Sequence, residues 1–300
     1  MPAIVNIDGR LVPPGEAAIS VFDRGFLSGD LVYEVIRTYD LRAHQLEAHL
    51  ARLSRSAARI SLPLAWGPDR IAREIDRTVD ASRGQEEDDP LAAPWNQGQR
   101  TVRLIMTRGA GEAAAALGLP PGPRALLITQ PLVGPPASAY REGVRCVLVR
   151  ARVPRELPEV KTGRHLAEST AAAEARSSGA HEALLVDGRG LVTEGATSSL
   201  FRVKDGKVET PPLEAGILPG IARGLVLRLA RQAGIPVSER MLEPPDLAEA
   251  DEVFITSTTR EVLPVTRLGE RPVGAGAVGE LTTRIHALYR AAVTGRAGPG

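Results

Sequence analysis

Lysine is scarce in this 300-residue chain: only Lys161, Lys204 and Lys207 occur, which leaves 34 arginines among the 37 basic residues. The difference matters chemically. An amine can lose its proton and act as a nucleophile, whereas a guanidinium stays charged. Lys204 and Lys207 flank Asp205-Gly206, a hairpin-tip sequence, and belong in solvent. Lys161 follows Leu157-Pro158-Glu159-Val160 and precedes a helical pattern, so it stands at an element boundary where a side chain can enter a cleft. Taken alone, it also reads as an ordinary surface lysine.

Two further segments could serve the same chemistry. Glu194 lies in Leu191-Val192-Thr193-Glu194-Gly195-Ala196-Thr197-Ser198-Ser199, where Gly195 lets the backbone approach a ligand and the hydroxyls can hydrogen-bond nearby. The plain alternative is a turn between two strands. Leu218-Pro219-Gly220-Ile221-Ala222-Arg223 opens an amphipathic helix whose first N–H groups suit a phosphate, though it equally reads as a common loop-to-helix start. Other chemistries lack their residues. Histidines 44, 49, 165, 181 and 286 make neither HExxH nor a paired metal spacing, so no metal site is expected. A Walker loop and a GxSxG elbow are absent, and Arg108-Gly109-Ala110-Gly111 has no third glycine in register for a dinucleotide. A lysine amine, a carboxylate and a helix N-terminus together suit pyridoxal 5′-phosphate. That group needs an imine partner, a counter-charge on its ring nitrogen and donors for its phosphate.

The order of these pieces carries a family resemblance. Val160-Lys161-Thr162-Gly163, Thr193-Glu194-Gly195, Thr210-Pro211-Pro212-Leu213, Gly216 to Arg223 and Ala250-Asp251-Glu252-Val253-Phe254 follow one another. Upstream stand Gly29-Asp30, Val32-Tyr33-Glu34 and His49-Leu50-Ala51-Arg52-Leu53. Each is weak alone, but in this order and spacing, over residues 4 to 267, the chain resembles the class IV aminotransferases. That group includes branched-chain and D-amino-acid aminotransferases and aminodeoxychorismate lyase. The resemblance implies fold type IV: two α/β domains with pyridoxal phosphate in the interdomain cleft, in a homodimer that completes each site. Position by position it implies Lys161 as the Schiff-base lysine and Glu194 as partner of the pyridine nitrogen. It implies Arg52, Ile221, Ala222 and Thr258 around the phosphate, and Tyr33, Arg37 and Thr259 toward the substrate. His165 stands where many members have a tyrosine for the cofactor's 3′-oxygen, and Ser199 stands where relatives often have asparagine.

Transamination of an amino acid with a 2-oxo acid, by a ping-pong route through Lys161, is the activity so implied. Val32-Tyr33 resembles the D-amino-acid type. The Arg-x-His carboxylate clamp of that type is missing after Thr107-Arg108-Gly109, and Arg103 in Thr101-Val102-Arg103 resembles the arginine of the branched-chain Tyr-x-Arg. Both substrate classes therefore stay open, with aminodeoxychorismate lyase and a non-catalytic pyridoxal-phosphate binder as alternatives.

The elements that must hold these residues are mixed α and β. Leu31 to Tyr39 reads as a strand with Tyr33, Val35 and Arg37 on one face, and Leu46 to Ile60 as a helix striped by Leu46, Leu50, Leu53 and Ala57. Further helices are expected at Arg70–Ala81, Arg164–Ser177, Ile221–Gln232 and Val278–Ala291. Strands are expected at Ala3–Ile7, Thr101–Thr107, Ala125–Thr129, Val144–Arg150, Glu182–Val186, Ser198–Val203 and Glu252–Ile255. Residues 83–100 read as an exposed loop and 294–300 as a frayed tail. The proline- and glycine-rich run 131–140 reads as a linker between an N-terminal domain, 1–130, and a cofactor-binding domain, 141–300. With 37 basic against 36 acidic residues, no field attracts nucleic acid or an anionic membrane. The N-terminus lacks a signal-peptide pattern, and the lone Cys146 suits a reducing compartment, so a soluble cytoplasmic protein is expected.

Overall fold

The computed structural model describes residues 3–84, 92–111, 118, 122–151 and 157–295. Its residues cluster into two compact units, Met1–Val133 with Val160–Arg164, and Gly134–Glu159 with His165–Gly300.

The first unit is built on an antiparallel sheet. Its strands are β1 (Ile4–Ile7), β2 (Arg10–Val12), β3 (Leu31–Tyr39), β4 (Arg42–Ala43), β5 (Arg100–Thr107) and β6 (Arg124–Pro131), in the spatial order β2-β1-β6-β5-β3-β4. The alternating pattern of LVYEVIRTY does what period-two hydrophobicity should. Val32, Glu34 and Ile36 are buried on one face, while Tyr33 and Val35 on the other are half-buried. A short helix α1 (Arg24–Ser28) occupies what the glycine spacing suggests is a loop. Its ends explain it: the Asp23 carboxylate accepts the Gly25 N–H at 2.7 Å, and Gly29 closes the helix in the left-handed region. Helices α2 (Leu46–Arg59) and α3 (Pro68–Asp80) pack on the sheet, α2 against β3. Of the stretch expected to be a loop, 85–91 lies outside the described residues and Pro94–Asn96 forms one 3₁₀ turn.

In the second unit β7 (Val144–Arg150), β8 (Glu182–Val186), β9 (Val192–Gly195), β10 (Ser199–Lys204), β11 (Lys207–Thr210), β12 (Val237–Glu239), β13 (Glu252–Ser257) and β14 (Glu261–Leu268) lie in the order β12-β11-β10-β13-β14-β7-β8-β9, with β15 (Arg271–Pro272) beside β14. The sheet is mixed, β7 running parallel to both β14 and β8. The helices are α4 (Ala137–Glu142), α5 (Leu166–Ser177), α6 (Ile221–Gln232), α7 (Pro244–Ala248) and α8 (Glu280–Thr294). Of the segment 131–140, Pro131 ends β6 and residues from Ala137 onward are helical with Tyr140 buried. Under α5, Ala171 and Ala175 pack on Val149, Ala183 and Leu185. Elsewhere in the sheet Phe201 and Phe254 stack at 4.8 Å, each fully buried and so worth about 2–3 kcal/mol in area alone. The Asp205-Gly206 tip joins β10 and β11 as expected, with both residues at positive φ, and Lys204 and Lys207 pair with Asp251 and Glu209 at its base. Among the described residues no helix is long and apolar enough to cross a membrane.

Candidate active site

In the first unit Lys161 is held at both of its backbone groups. Its carbonyl accepts the N–H of Tyr33 at 3.0 Å, and its N–H donates to Ser56 Oγ at 3.2 Å. Thr162 bridges to Val32, and Gly163 passes so close to Leu31 that a Cβ there would meet the leucine side chain at 2.9 Å. The side chain of Lys161 is thereby aimed along the Tyr33 face of β3, and Nζ stands 4.6 Å from the centroid of the Tyr33 ring. Arg103, exposed on the neighbouring β5, sets its guanidinium 5.3 Å from the same centroid. Lys161, Tyr33 and Arg103 thus come together.

Arg37 shares that strand face by register but is engaged otherwise. Its guanidinium is fully buried, Nη2 donates to the Trp95 carbonyl and to Asn96 Oδ1, both at 2.9 Å, and the group lies over the Tyr39 ring at 4.5 Å. These contacts join the guanidinium to the 95–96 turn at that end of the strand.

Arg52, on α2, donates from Nε and Nη2 to the two carboxylate oxygens of Glu34 at 2.8 and 2.6 Å, and His49 Nδ1 lies 2.7 Å from the same carboxylate. All three side chains are buried. Burial pushes the Glu34 carboxyl up, but hydrogen bonds and charge from Arg52 and His49 outweigh it and hold the group at about 2. Sequence reading gives Arg52 only as a phosphate contact and Glu34 and His49 only as parts of their motifs, and does not foresee that the three meet. The available signal is an acidic residue inside an otherwise apolar strand, with a histidine one helical turn before the arginine.

In the second unit Glu194 lies within β9, not in a turn between strands; it is buried and accepts the Leu218 N–H through both oxygens, at 3.3 and 3.2 Å. Leu218 stands just before α6, whose N-cap is Gly220 and whose first turn has no side-chain cap. A Cβ on Gly220 would meet Ser199 Oγ at 2.5 Å, so any larger residue there would have to displace that hydroxyl. The N–H groups of Ile221 and Ala222 open that helix end, where partial positive charge favours an anion. Thr258 and Thr259 sit in the turn between β13 and β14, half-buried. Behind them Arg260 donates to Glu182 Oε2 and Thr197 Oγ1, both at 2.7 Å, which ties this turn to the segment following Glu194. His165 stands at the N-cap of α5. No group of three or more His, Cys, Asp or Glu side chains placed for a metal occurs among the described residues.

Taken unit by unit, the residues fit what pyridoxal phosphate requires: the first unit has a lysine amine on a hydrogen-bonded backbone, and the second has a buried carboxylate and a helix N-terminus without a side-chain cap. The comparisons agree. The model of the class IV amino-transferase family matches residues 31–268. A Methanocaldococcus jannaschii protein, provisionally named as a branched-chain-amino-acid aminotransferase, is 34% identical over 95% of both chains. The D-alanine aminotransferase of Bacillus licheniformis is 34% identical over 94% of both. The crystal structure of a branched-chain aminotransferase from the thermophilic archaeon Thermoproteus uzoniensis with norvaline superposes with a TM-score of 0.84 at 29% identity, covering 98% of this chain and 95% of that one. Another branched-chain amino acid aminotransferase, solved with pyridoxamine 5′-phosphate, superposes equally well. The chain belongs to the class IV aminotransferases, and its fold is theirs. It is a pyridoxal-phosphate-dependent enzyme of transamination, exchanging an amino group between an amino acid and a 2-oxo acid.

Proposed function

We propose that the substrates are branched-chain L-amino acids and that Lys161 is the amine that bonds the cofactor and then moves the substrate's Cα proton. The observation that carries this reading is the clamped Lys161 backbone with Nζ over Tyr33, beside the exposed Arg103, whose guanidinium lies 5.3 Å from the same ring. A lysine fixed at its own N–H and carbonyl presents Nζ reproducibly, which a proton transfer at one carbon demands. When bound, pyridoxal phosphate supplies the electron sink for the pair left at Cα.

In this reading Glu194 keeps the proton on the ring nitrogen. Arg52, Thr258 and the N–H groups of Ile221 and Ala222 hold the phosphate, and His165 serves the 3′-oxygen. Arg103 and the Thr259 N–H receive the substrate carboxylates, and Tyr33 bounds the side-chain pocket. The choice of branched-chain over D-amino acid rests on Arg103, which resembles the arginine of the branched-chain Tyr-x-Arg and can grip a carboxylate through two parallel hydrogen bonds, while the Arg-x-His clamp of the D-amino-acid type is missing after Gly109. The second reading, a D-amino acid, is favoured by Val32-Tyr33 and by the equal identity to the D-alanine aminotransferase.

A second copy of the chain completes the enzyme in this proposal. Ile19, Val21, Phe22, Phe26 and Leu27 are all exposed within nine residues, an apolar concentration that a partner copy would cover. The single thiol, Cys146, is buried, which fits a reducing, cytoplasmic compartment.

Borohydride reduction followed by peptide mapping tests the lysine: a pyridoxyl label belongs on Lys161, and a label on Lys204 or Lys207 sinks the assignment. Absorbance spectra of the half-reaction with a panel of D- and L-amino acids decide the substrate. Bleaching of the cofactor band by L-leucine, L-isoleucine and L-valine supports the first reading, and bleaching by D-alanine alone replaces it with the second. A spectrum unchanged by every donor would mark a binder without turnover.

A further inference from the structure

Three polar residues of α2, His49, Arg52 and Ser56, follow one another at spacings of three and four and so share a helix face. They are all buried. Facing them on β3 is Glu34, between Val32 and Ile36, which are also fully buried. An ion pair placed inside a helix–sheet contact is costly to desolvate, and apolar packing of the same volume is often as stable or more so. Stability alone therefore gives this stripe no reason to be polar.

The geometry supplies a different reason. Two parallel bonds, Nε to Oε1 at 2.8 Å and Nη2 to Oε2 at 2.6 Å, fix the plane of the Arg52 guanidinium and hence the directions of all its N–H groups. His49 at 2.7 Å fixes the carboxylate in turn. The neighbour of Glu34 in sequence, Tyr33, donates its N–H to the Lys161 carbonyl, and one turn beyond Arg52, Ser56 Oγ accepts the Lys161 N–H. The same two elements thus hold the arginine and the lysine at a set separation.

We propose that Glu34 is a positioning residue for cofactor binding: it sets the direction in which Arg52 meets the phosphate, while Ser56 and Tyr33 register Lys161 to the same frame. This rests on the reading of Arg52 as a phosphate contact and of Lys161 as the cofactor's lysine.

The test compares two ligands that differ only in the phosphate. Apoenzyme, wild type and Glu34→Gln, is titrated with pyridoxal 5′-phosphate and with pyridoxal, and binding is followed by absorbance. The variant should lose about 10- to 100-fold in affinity for the phosphorylated ligand, the range for one misdirected charge-assisted contact, and less than about twofold for pyridoxal. Equal losses for both ligands mean a deformed pocket and overturn the proposal, as does unchanged affinity for both. Should Glu34→Gln not fold, Glu34→Asp keeps the charge but withdraws the fork by one methylene, and the same selective loss is expected. A wild type that takes no borohydride label on Lys161 removes the functional reading itself. A wild type labelled there, with a variant that binds both ligands normally, removes only the role of Glu34.

Discussion

Glu261 is wholly buried in the left-handed region, at φ 58°, and its carboxylate lies 3.0 Å from His286 Nε2 while accepting Arg290 Nη1 at 2.8 Å. A non-glycine residue in that conformation costs about 1 kcal/mol or more and persists only where its surroundings hold it. Here α8 supplies the holding groups, and Tyr140 stacks on His286 while its hydroxyl donates to the Arg260 carbonyl at 2.9 Å. The turn that carries Thr258 and Thr259 is pinned as a result. Glu261→Gln should destabilise the protein by about 1–3 kcal/mol, the cost of leaving a charged partner without its counter-charge, read as a lower urea midpoint with an unchanged slope.

Glu194→Gln removes a negative charge from a buried position while keeping the shape that accepts Leu218 N–H. In the role proposed for Glu194, the cofactor's ring nitrogen then loses its proton partner. Turnover should fall roughly 10²- to 10⁴-fold with cofactor still attached to Lys161, measured as single-turnover loss of the Cα proton from a deuterium-labelled donor. An unchanged deprotonation rate would refute the role.

How much of this is legible beforehand depends on what periodicity can register. Leu31–Tyr39, Val144–Arg150, Glu182–Val186 and Ile221–Gln232 appear at their expected bounds because apolar alternation or helical spacing runs unbroken through each. The strand Glu261–Leu268 does not declare itself: Pro264 in its middle argues against a central strand, yet it pairs opposite Phe254. The five residues of α1 are too few to show a period. Lys161 stands out by composition. Glu34 and His49 do not, since a pattern scored on hydrophobicity treats a buried ion pair as surface, and only the fold shows that the polar groups satisfy one another.

Acid should reveal the Glu34 pair. Its carboxyl is held at about 2 in the folded chain against 4.5 ordinarily, so the pair's stabilisation is complete above pH 4.5 and is lost as pH falls from there through 2. A depression of this size corresponds to about 3 kcal/mol. Wild type should therefore lose its stability advantage over Glu34→Gln across that window, in urea unfolding at stepped pH; an advantage constant from pH 5 to 2 contradicts the assignment.

Cys146 should be inert. Burial pushes its thiol well up, the Glu182 carboxylate adds to the rise, and Arg260 only partly opposes it. Since the thiolate is the reactive form, a disulfide reagent at pH 8 should leave the native protein unlabelled over the time in which urea-unfolded protein is labelled completely. Rapid labelling of folded protein would place the thiol at the surface.

Arg37 offers the sharpest contrast between a substrate contact and a scaffold. Position on the Tyr33 face argues for the first, and the contacts argue for the second: the guanidinium is sealed from solvent, bound to the Trp95 carbonyl and Asn96 Oδ1, and stacked on Tyr39. Replacing it with alanine leaves a carbonyl and an amide oxygen without their charged donor and opens a cavity under the 95–96 turn. Each lost charge-assisted bond costs about 1.5–3 kcal/mol, so Arg37→Ala should melt well below wild type. Arg103→Ala, exposed and without such bonds among the described contacts, should keep its melting temperature. The kinetics should divide the other way. The half-reaction of Arg37→Ala, measured on whatever fraction is folded, should saturate at the wild-type amino-acid concentration, while that of Arg103→Ala should need roughly tenfold more or beyond for substrates it grips by a carboxylate. If Arg37→Ala instead keeps its stability and loses saturation, the strand face, and not the burial, decides its role.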